Sequence, residues 1–411
     1  MTSPGPTTDT SGHSHAAPVS GRVVYLSPTF APYTVPVFDA LYQLIGEGFT
    51  VVTLRQPRLE IDRAALRMGT FPRLLINGTC MRLSRLGDEG QRTPLCFLWS
   101  PSLPLVLASL KPEVVITKNF NTWTLIPLLM CYPTVIFWEG TRHTERTVGP
   151  WRLRLRRWTG GRAEAFVVNG ALSRRYLVET VGVPADRIIE GGICAEPVPA
   201  HIRRGPRVRS DHDPLVYLFV GQMIGRKGVP HLLRAAHLLK ARWGANARLT
   251  ILLLGDGPER QQYEALAHGM GIHDQVRFLG HVPPDQVWYW YEQADVFVLP
   301  TLQDNWPLVV PEAMSMGLPV LLSKHAGSAP DLLREGDNGY SFDPEDHEDL
   351  ASRLEEYLRN PQLVRKHGEY SLKLVSRYNP GRAANAILWA IGKAKSRSTP
   401  YRSGSAVGPS R

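Results

Sequence analysis

The sequence predicts an α/β protein built from two doubly wound, Rossmann-like domains that face each other across a cleft. Three observations carry that prediction. At 411 residues the chain exceeds one ordinary hydrophobic core, so two domains of about 150–200 residues are expected. Short apolar, β-branched runs alternate with helix-period segments along nearly its whole length, which specifies parallel sheets covered on both faces. The alternation also stops and restarts around "RRGPRVRSDHD" (203–213), a polar, Pro- and Gly-containing stretch.

The first 20 residues, "MTSPGPTTDTSGHSHAAPVS", lack the basic start and apolar run of a secretory leader and read as a disordered tail. Residues 21–205 form the first predicted domain. Its strands are "RVVYL" (22–26), "FTVVTLR" (49–55), "PEVVITK" (112–118), "TVIFWEG" (134–140) and "AFVVNG" (165–170), with helical segments at 35–46 and 170–181. The uncharged stretch 119–138 is interrupted by Pro127 and Pro133, so it reads as a buried helix and a buried strand rather than a membrane span. Residues 206–213 are the expected linker.

The second domain, 214–378, restarts with "LVYLFVG" (215–221), a helix at 228–242 and "RLTILLLGDG" (248–257). A helix near 258–269, "VRFLG" (276–280), a helix near 284–293 and "DVFVLP" (295–300) follow, then helices near 345–358 and 361–376. A C-terminal helix is expected over 379–396 and a second disordered tail over 397–411.

Cys80, Cys96, Cys131 and Cys194 have no CxxC spacing and read as buried free thiols of a reducing compartment. The net charge of +10 is one-sided: residues 1–210 hold 25 Lys and Arg against 15 Asp and Glu, residues 211–411 hold 22 against 22. A basic first half suits an anionic partner, such as a phospholipid surface or a diphosphate-bearing acceptor. The GxGxxG fingerprint is missing, which disfavours a nicotinamide enzyme, and no nucleic-acid module surrounds the basic residues.

Chemistry is expected in the loops that follow strands, where doubly wound folds bind ligands. "VGQMIGRKG" (220–228) joins a strand to a helix through glycines that let backbone approach a phosphate, and Arg226 and Lys227 add charge. In "LLLGDGPER" (252–260), Asp256 is expected mainly to cap the next helix. "DNWPLVVPEAMSM" (304–316) holds two acids in a segment that otherwise reads as core. Asp304 leaves a strand end and Glu312 sits in a helix's first turn, so both carboxylates can meet hydroxyls of a sugar or ribose. "WEGTRHTERTVGPWRLRLRRWTGGR" (138–162) leaves a strand of the first domain, with Glu139 and His143 as acceptor-side candidates. Trp151, Arg154, Arg156, Arg157 and Trp158 are expected to form a basic, aromatic membrane face. The one D-x-D, at Asp211 and Asp213, reads as linker charge, and no metal ligands are expected.

Taken in order, "VGQMIGRKG", "LLLGDGPER", "VRFLGHV", "ADVFVLP", the Asp304-x7-Glu312 spacing and "AGSAPDLLREGDNGYSF" resemble the retaining nucleotide-sugar glycosyltransferases of family 4, the glycosyl transferases group 1 with the GT-B fold. The resemblance is good over 165–343 and looser before that. It implies that Glu312 accepts hydrogen bonds from the donor ribose, that Asp304 lies near the transferred sugar, and that Lys227 neutralises the diphosphate with help from Arg226. The base is expected near Gly280–Val282, and Gly221, Gln222, Asn305 and Leu308 complete the donor site.

The resemblance further implies front-face displacement, in which the leaving phosphate takes the acceptor's proton and neither metal nor cofactor is needed. The nucleotide sugar, with UDP slightly favoured, is a substrate. The implied acceptor is a glycan or lipid-linked intermediate of cell-surface polysaccharide or glycoconjugate synthesis, met in the cytoplasm at the inner membrane face. Three positions depart from the family pattern: Gln222 replaces an arginine, Asp304 a glutamate and Pro307 a glycine. Two alternatives therefore stay open, a nucleotide-sugar epimerase or hydrolase of the same fold and a catalytically weak binding subunit.

Overall fold

The computed structural model describes residues 21–28, 32–55, 69–83, 95–203, 205, 213–244 and 247–398. The first sheet takes β1 (Val23–Leu26), β2 (Phe49–Leu54) and β3 (Arg73–Ile76), and β4 (Thr79–Leu83) and β5 (Leu95–Trp99) form a separate antiparallel hairpin. The strands β6 (Val114–Lys118), β7 (Thr134–Trp138), β8 (Ala165–Val168) and β9 (Ile188–Glu190) complete the first sheet in the order β3-β2-β1-β6-β7-β8-β9. Its helices are α1 (Val35–Ile45), α2 (Leu103–Leu110), α3 (Thr122–Leu129), α4 (Pro150–Arg162) and α5 (Ala171–Tyr176), the last continued by a π-turn over Leu177–Val181. The uncharged stretch resolves as expected into α3, opened by the Asn121 side chain accepting from Thr124 N at 3.2 Å, and the fully buried β7.

The second domain holds β10 (Leu215–Val220), β11 (Leu249–Leu254), β12 (Val276–Gly280), β13 (Val296–Leu299), β14 (Val320–Ser323) and β15 (Gly339–Phe342). Their order, β12-β11-β10-β13-β14-β15, is all parallel and reverses direction of growth between β10 and β13, the Rossmann arrangement. The helices are α6 (Val229–Trp243), α7 (Arg260–Gly269), α8 (Pro284–Gln293), α9 (Val309–Ser315), α10 (Ala329–Leu332), α11 (His347–Arg359), α12 (Gln362–Val375) and α13 (Pro380–Ser398). Asp346 caps α11 by accepting from Glu348 N and Asp349 N at 3.0 and 3.1 Å.

The chain passes between domains earlier than the polar stretch suggests. Ile193, Ala195 and Val198 already pack in the second domain's core, and Ala195 N donates to Tyr378 O at 2.9 Å. Of the expected linker, only Asp213 lies among the described residues. Just after Tyr378 the chain returns: α13 lays Ala383, Ala384, Ile387, Ile391 and Ala394 on one helical stripe into the core of the first domain. Two crossings at one place join the bodies there. Both predicted tails fall outside the described residues, apart from Arg397 and Ser398, which close α13. Among the described residues, no helix is long and apolar enough to cross a membrane.

Candidate active site

The loops after β10 and β13 meet where the second sheet reverses. Gly228 makes that meeting possible: its φ is 71°, and a Cβ there would lie 1.9 Å from the Pro300 carbonyl oxygen. Arg226 O accepts from Leu302 N at 2.8 Å and from the Thr301 hydroxyl at 3.0 Å, which stitches the loops together. Across the stitch, Lys227 Nζ lies 2.6 Å from Asp304 Oδ2, with both side chains under 15 % exposed (12 % and 14 %). Arg226 stands outside the pair, its Nη1 3.8 Å from the same oxygen and its side chain 40 % exposed.

Glu312 lies in the first turn of α9, and its Oε2 accepts a 2.8 Å hydrogen bond from Tyr291 Oη of α8. Burial pushes the Glu312 carboxyl up to about 7; the Tyr291 hydrogen bond opposes the rise and Glu196 adds to it. The two acids thus have separate partners, Lys227 for Asp304 and Tyr291 for Glu312. Asn305 keeps a buried Oδ1 without a hydrogen-bond partner, and Gly327 passes so close that a Cβ would lie 1.8 Å from Asn305 O. Leu308 caps α9 and packs, with Val282, against the second core. Gly280 O accepts from Gly255 N at 2.9 Å, and Gly221 N donates to Leu254 O at 2.9 Å; Gln222 beside it is exposed.

Asp256 is not the expected helix cap. Its Oδ1 accepts from Gly257 N at 2.7 Å, while α7 begins only at Arg260, with Glu259 as its preceding residue.

On the first domain, Glu139 follows β7 and pairs at 3.1 Å with Lys118, the last residue of β6. Lys118 also donates to Tyr33 Oη at 3.2 Å. Burial alone would lower the pKa of the Lys118 amine, but Glu139, Tyr33 and Tyr25 outweigh it and hold the amine protonated. These groups, with Gly192, Cys194 and Ile387, line a cavity of about 20 Å³, room for about one water. His143 donates from Nε2 to Leu302 O at 2.8 Å, which fixes its tautomer, and its ring stacks on His325 at 4.5 Å. It therefore sits against the loop that follows β13.

Arg156 corrects the sequence reading of a membrane face. It is buried, its Nη2 2.6 Å from Glu145 Oε2, its Nη1 donating to Tyr176 Oη at 2.6 Å, and its guanidinium 4.9 Å from the Trp138 ring centroid. Arg156, Thr159 and Gly160 form the inward stripe of α4, whereas Trp151, Arg154, Leu155, Arg157 and Trp158 point outward. Cys194 is buried as expected, but Cys131 is exposed at the end of α3. His325, Asp343 and Glu345 bring ligand atoms within 4.8 Å of one another and could hold a cation, though Lys324 already ion-pairs with Asp343.

Several site residues escape sequence reasoning. Lys118 and Tyr33 join Glu139 only through the fold, and His325 meets His143 across 182 positions. Asp331 bridges the domains: Oδ1 accepts from Ala171 N at 3.2 Å and Oδ2 from Trp306 Nε1 at 3.4 Å. The signal available for Asp331 was its place in "AGSAPDLLREG", which gives no hint of its partner.

Fold and site define a class: paired doubly wound α/β domains of the GT-B kind, with the phosphate-type loop and two acids in the second. The family model for glycosyl transferases group 1 matches residues 205–374, within the second half of the chain. The chain is 27 % identical over 306 residues to the sulfoquinovosyl transferase SQD2 of Arabidopsis thaliana, an alignment covering 70 % of this chain and 58 % of that one. It is 30 % identical over 180 residues to the amylovoran biosynthesis glycosyltransferase AmsK of Erwinia amylovora, covering 42 % of each. The chain thus spans less than two thirds of these relatives' length. The crystal structure of HepE from Anabaena, in complex with UDP, superposes with a TM-score of 0.68 at 15 % identity, over 90 % of this chain and 99 % of that one. That likeness is one of fold.

Proposed function

We propose that the protein is a retaining, metal-independent glycosyltransferase of family 4. It moves a sugar from a nucleotide donor, a UDP-sugar in preference, to a glycan or lipid-linked acceptor in cell-surface polysaccharide or glycoconjugate synthesis. The observation that carries the reading is the Lys227–Asp304 pair at the point where the second sheet reverses, with the half-buried Glu312 on the helix behind it. UDP in HepE supports the donor, and the amylovoran role of AmsK supports a polysaccharide acceptor.

In this reading Glu312 accepts hydrogen bonds from the ribose, and the diphosphate draws Lys227 away from Asp304. Asp304 is then free to meet the sugar's hydroxyls. The bond between anomeric carbon and phosphate oxygen breaks as the acceptor oxygen bonds the same face of that carbon. The acceptor's proton passes to the departing phosphate oxygen, whose growing charge Lys227 and Arg226 offset. Glu139 and His143 line the acceptor side. The outward face of α4 rests on an anionic cytoplasmic membrane surface through Trp151, Trp158, Arg154 and Arg157.

The test is a thermal-shift panel of UDP-, GDP-, ADP- and dTDP-sugars on wild type and Glu312→Ala. One nucleotide stabilising wild type but not the variant is expected, by about 2.7 kcal/mol at a hundredfold excess over Kd. Stabilisation of both proteins alike removes Glu312 from the donor site. Tight binding with no transfer to any acceptor, or hydrolysis without one, turns the reading to the alternatives.

A further inference from the structure

We infer that Asp331 is a positioning residue that ties the donor loop to the acceptor-side domain, so that closure of the cleft and the shape of the donor site are set together. The inference rests on the donor reading of the loop Asp304–Trp306.

Two segments of the second domain run side by side at the cleft. Asp304 bridges to Ala326, Gly327 N donates to Asp304 O at 3.1 Å, and Gly327 lacks the Cβ that would strike Asn305 O. The second of these segments ends in Asp331. Its carboxylate divides between the domains, Oδ2 accepting from Trp306 Nε1 at 3.4 Å and Oδ1 from Ala171 N at 3.2 Å, the first residue of α5. Gly170 leaves room for this, since a Cβ there would lie 1.9 Å from Asp331 Oδ2.

The contact is held from behind as well. Asp331 O accepts from Tyr378 Oη at 3.3 Å, and the Tyr378 ring lies 5.9 Å from that of Trp306, which is 5 % exposed. Tyr378 is also where the chain crosses back between domains, its carbonyl bonded to Ala195 N. Trp306 follows Asn305, whose buried Oδ1 is unpartnered and adjoins Asp304. A shift of the first domain relative to the second therefore pulls on Asp331, and through the indole on the residues that would meet the sugar. Asp331 need not touch the donor to set where Asp304 and Asn305 stand.

The test uses full-length wild type, Asp331→Ala, Asp331→Asn, Trp306→Phe and the double variant Asp331→Ala/Trp306→Phe. Amide hydrogen exchange without ligand is followed in peptides covering 169–176 and 300–308, and the Kd of the nucleotide sugar chosen by the panel is measured beside it. Asp331→Ala should speed exchange in both peptides and weaken donor binding about tenfold, the loss of one charge-assisted hydrogen bond. Trp306→Phe, which keeps the ring and removes the N–H, should reproduce the change at 300–308 and in Kd, with the double variant no weaker than Asp331→Ala. Faster exchange at 169–176 alone, or effects that add in the double variant, overturns the inference. If Asp331→Ala fails to fold, the near-isosteric Asp331→Asn and Trp306→Phe decide the same points. If wild type binds no nucleotide sugar, the donor reading fails while the exchange data still decide the coupling.

Discussion

Replacing Glu312 by glutamine should stabilise the empty protein at alkaline pH while weakening its hold on the donor. The carboxyl ordinarily titrates near 4.5 and is raised to about 7 in the fold, first by burial. At about 1.4 kcal/mol for each tenfold change in proton affinity, that displacement amounts to about 3 kcal/mol. The sign follows from proton counting. Between pH 4.5 and 7 the folded chain holds a proton that the unfolded chain has released, so this group's contribution is fully present below the lower value and is lost as pH rises through the upper one. Glutamine carries no ionisation and can still accept from Tyr291 Oη. The assay is the difference in urea stability between Glu312→Gln and wild type from about pH 4 to about pH 9. Little difference is expected near the acid end, growing to about 3 kcal/mol in favour of the variant above about pH 8. Donor binding should run the other way: affinity of wild type rises with pH up to about 7, because the ionised carboxylate is the better acceptor, whereas that of the variant stays low and flat. A pH-independent stability difference would refute the reasoning, because burial would then carry no cost for the charged form.

Gly228→Ala places a side chain at φ 71° and against the Pro300 carbonyl, so a loss of more than about 2 kcal/mol is expected in urea unfolding, with donor binding impaired in the folded fraction; unchanged stability would mean that the two loops do not meet as described. Arg156→Ala strands the Glu145 carboxylate and should cost about 3–5 kcal/mol, while Arg154→Ala/Arg157→Ala leaves stability within about 0.5 kcal/mol and weakens binding to anionic vesicles. Equal stability losses in the two would dissolve the distinction between inner and outer faces, and undiminished vesicle binding would move the membrane contact off α4. Asp304→Asn frees Lys227, so free UDP should bind about tenfold tighter although sugar transfer falls; weaker UDP binding would show that Asp304 does not compete with the diphosphate.

What depends on near neighbours is legible in the sequence. "VRFLG" and "PDQVWYWYEQ" show their period and their flanking turns within a short window, and both match β12 and α8 as observed. β14 was hidden inside "MGLPVLLS", where an apolar run of four residues has no period of its own, and β9 has only three residues. Arg154 and Arg157 could be placed on a basic face by composition. Arg156 could not be assigned inward without the helix register that sets it over Trp138 and beside Glu145. The candidate donor loops were legible because their glycines, cations and acids fall at strand ends in sequence order. Contacts between domains were not: nothing local to Asp331 names Ala171, and nothing local to α13 says that its alanine stripe completes the other domain's core.

Each domain places a lysine–carboxylate pair at the carboxyl ends of two neighbouring strands, Lys118 at the end of β6 with Glu139 after β7 in the first and Lys227 after β10 with Asp304 after β13 in the second. A paired cation is already desolvated and largely neutralised, so it contributes little field at a distance and acts once its partner is displaced or shared. Arg226 differs, being 40 % exposed and only loosely bound, at 3.8 Å, to Asp304. Its charge reaches solvent, where on the donor reading it would speed the arrival of an anion in a way that salt screens. On the proposed donor reading, the loop "GRKG" would divide two tasks between adjacent residues, attraction at Arg226 and placement at Lys227. On the same reading, Gln222 can stand where the family pattern has arginine because Arg226, four residues along the same loop, would supply the positive charge toward the diphosphate.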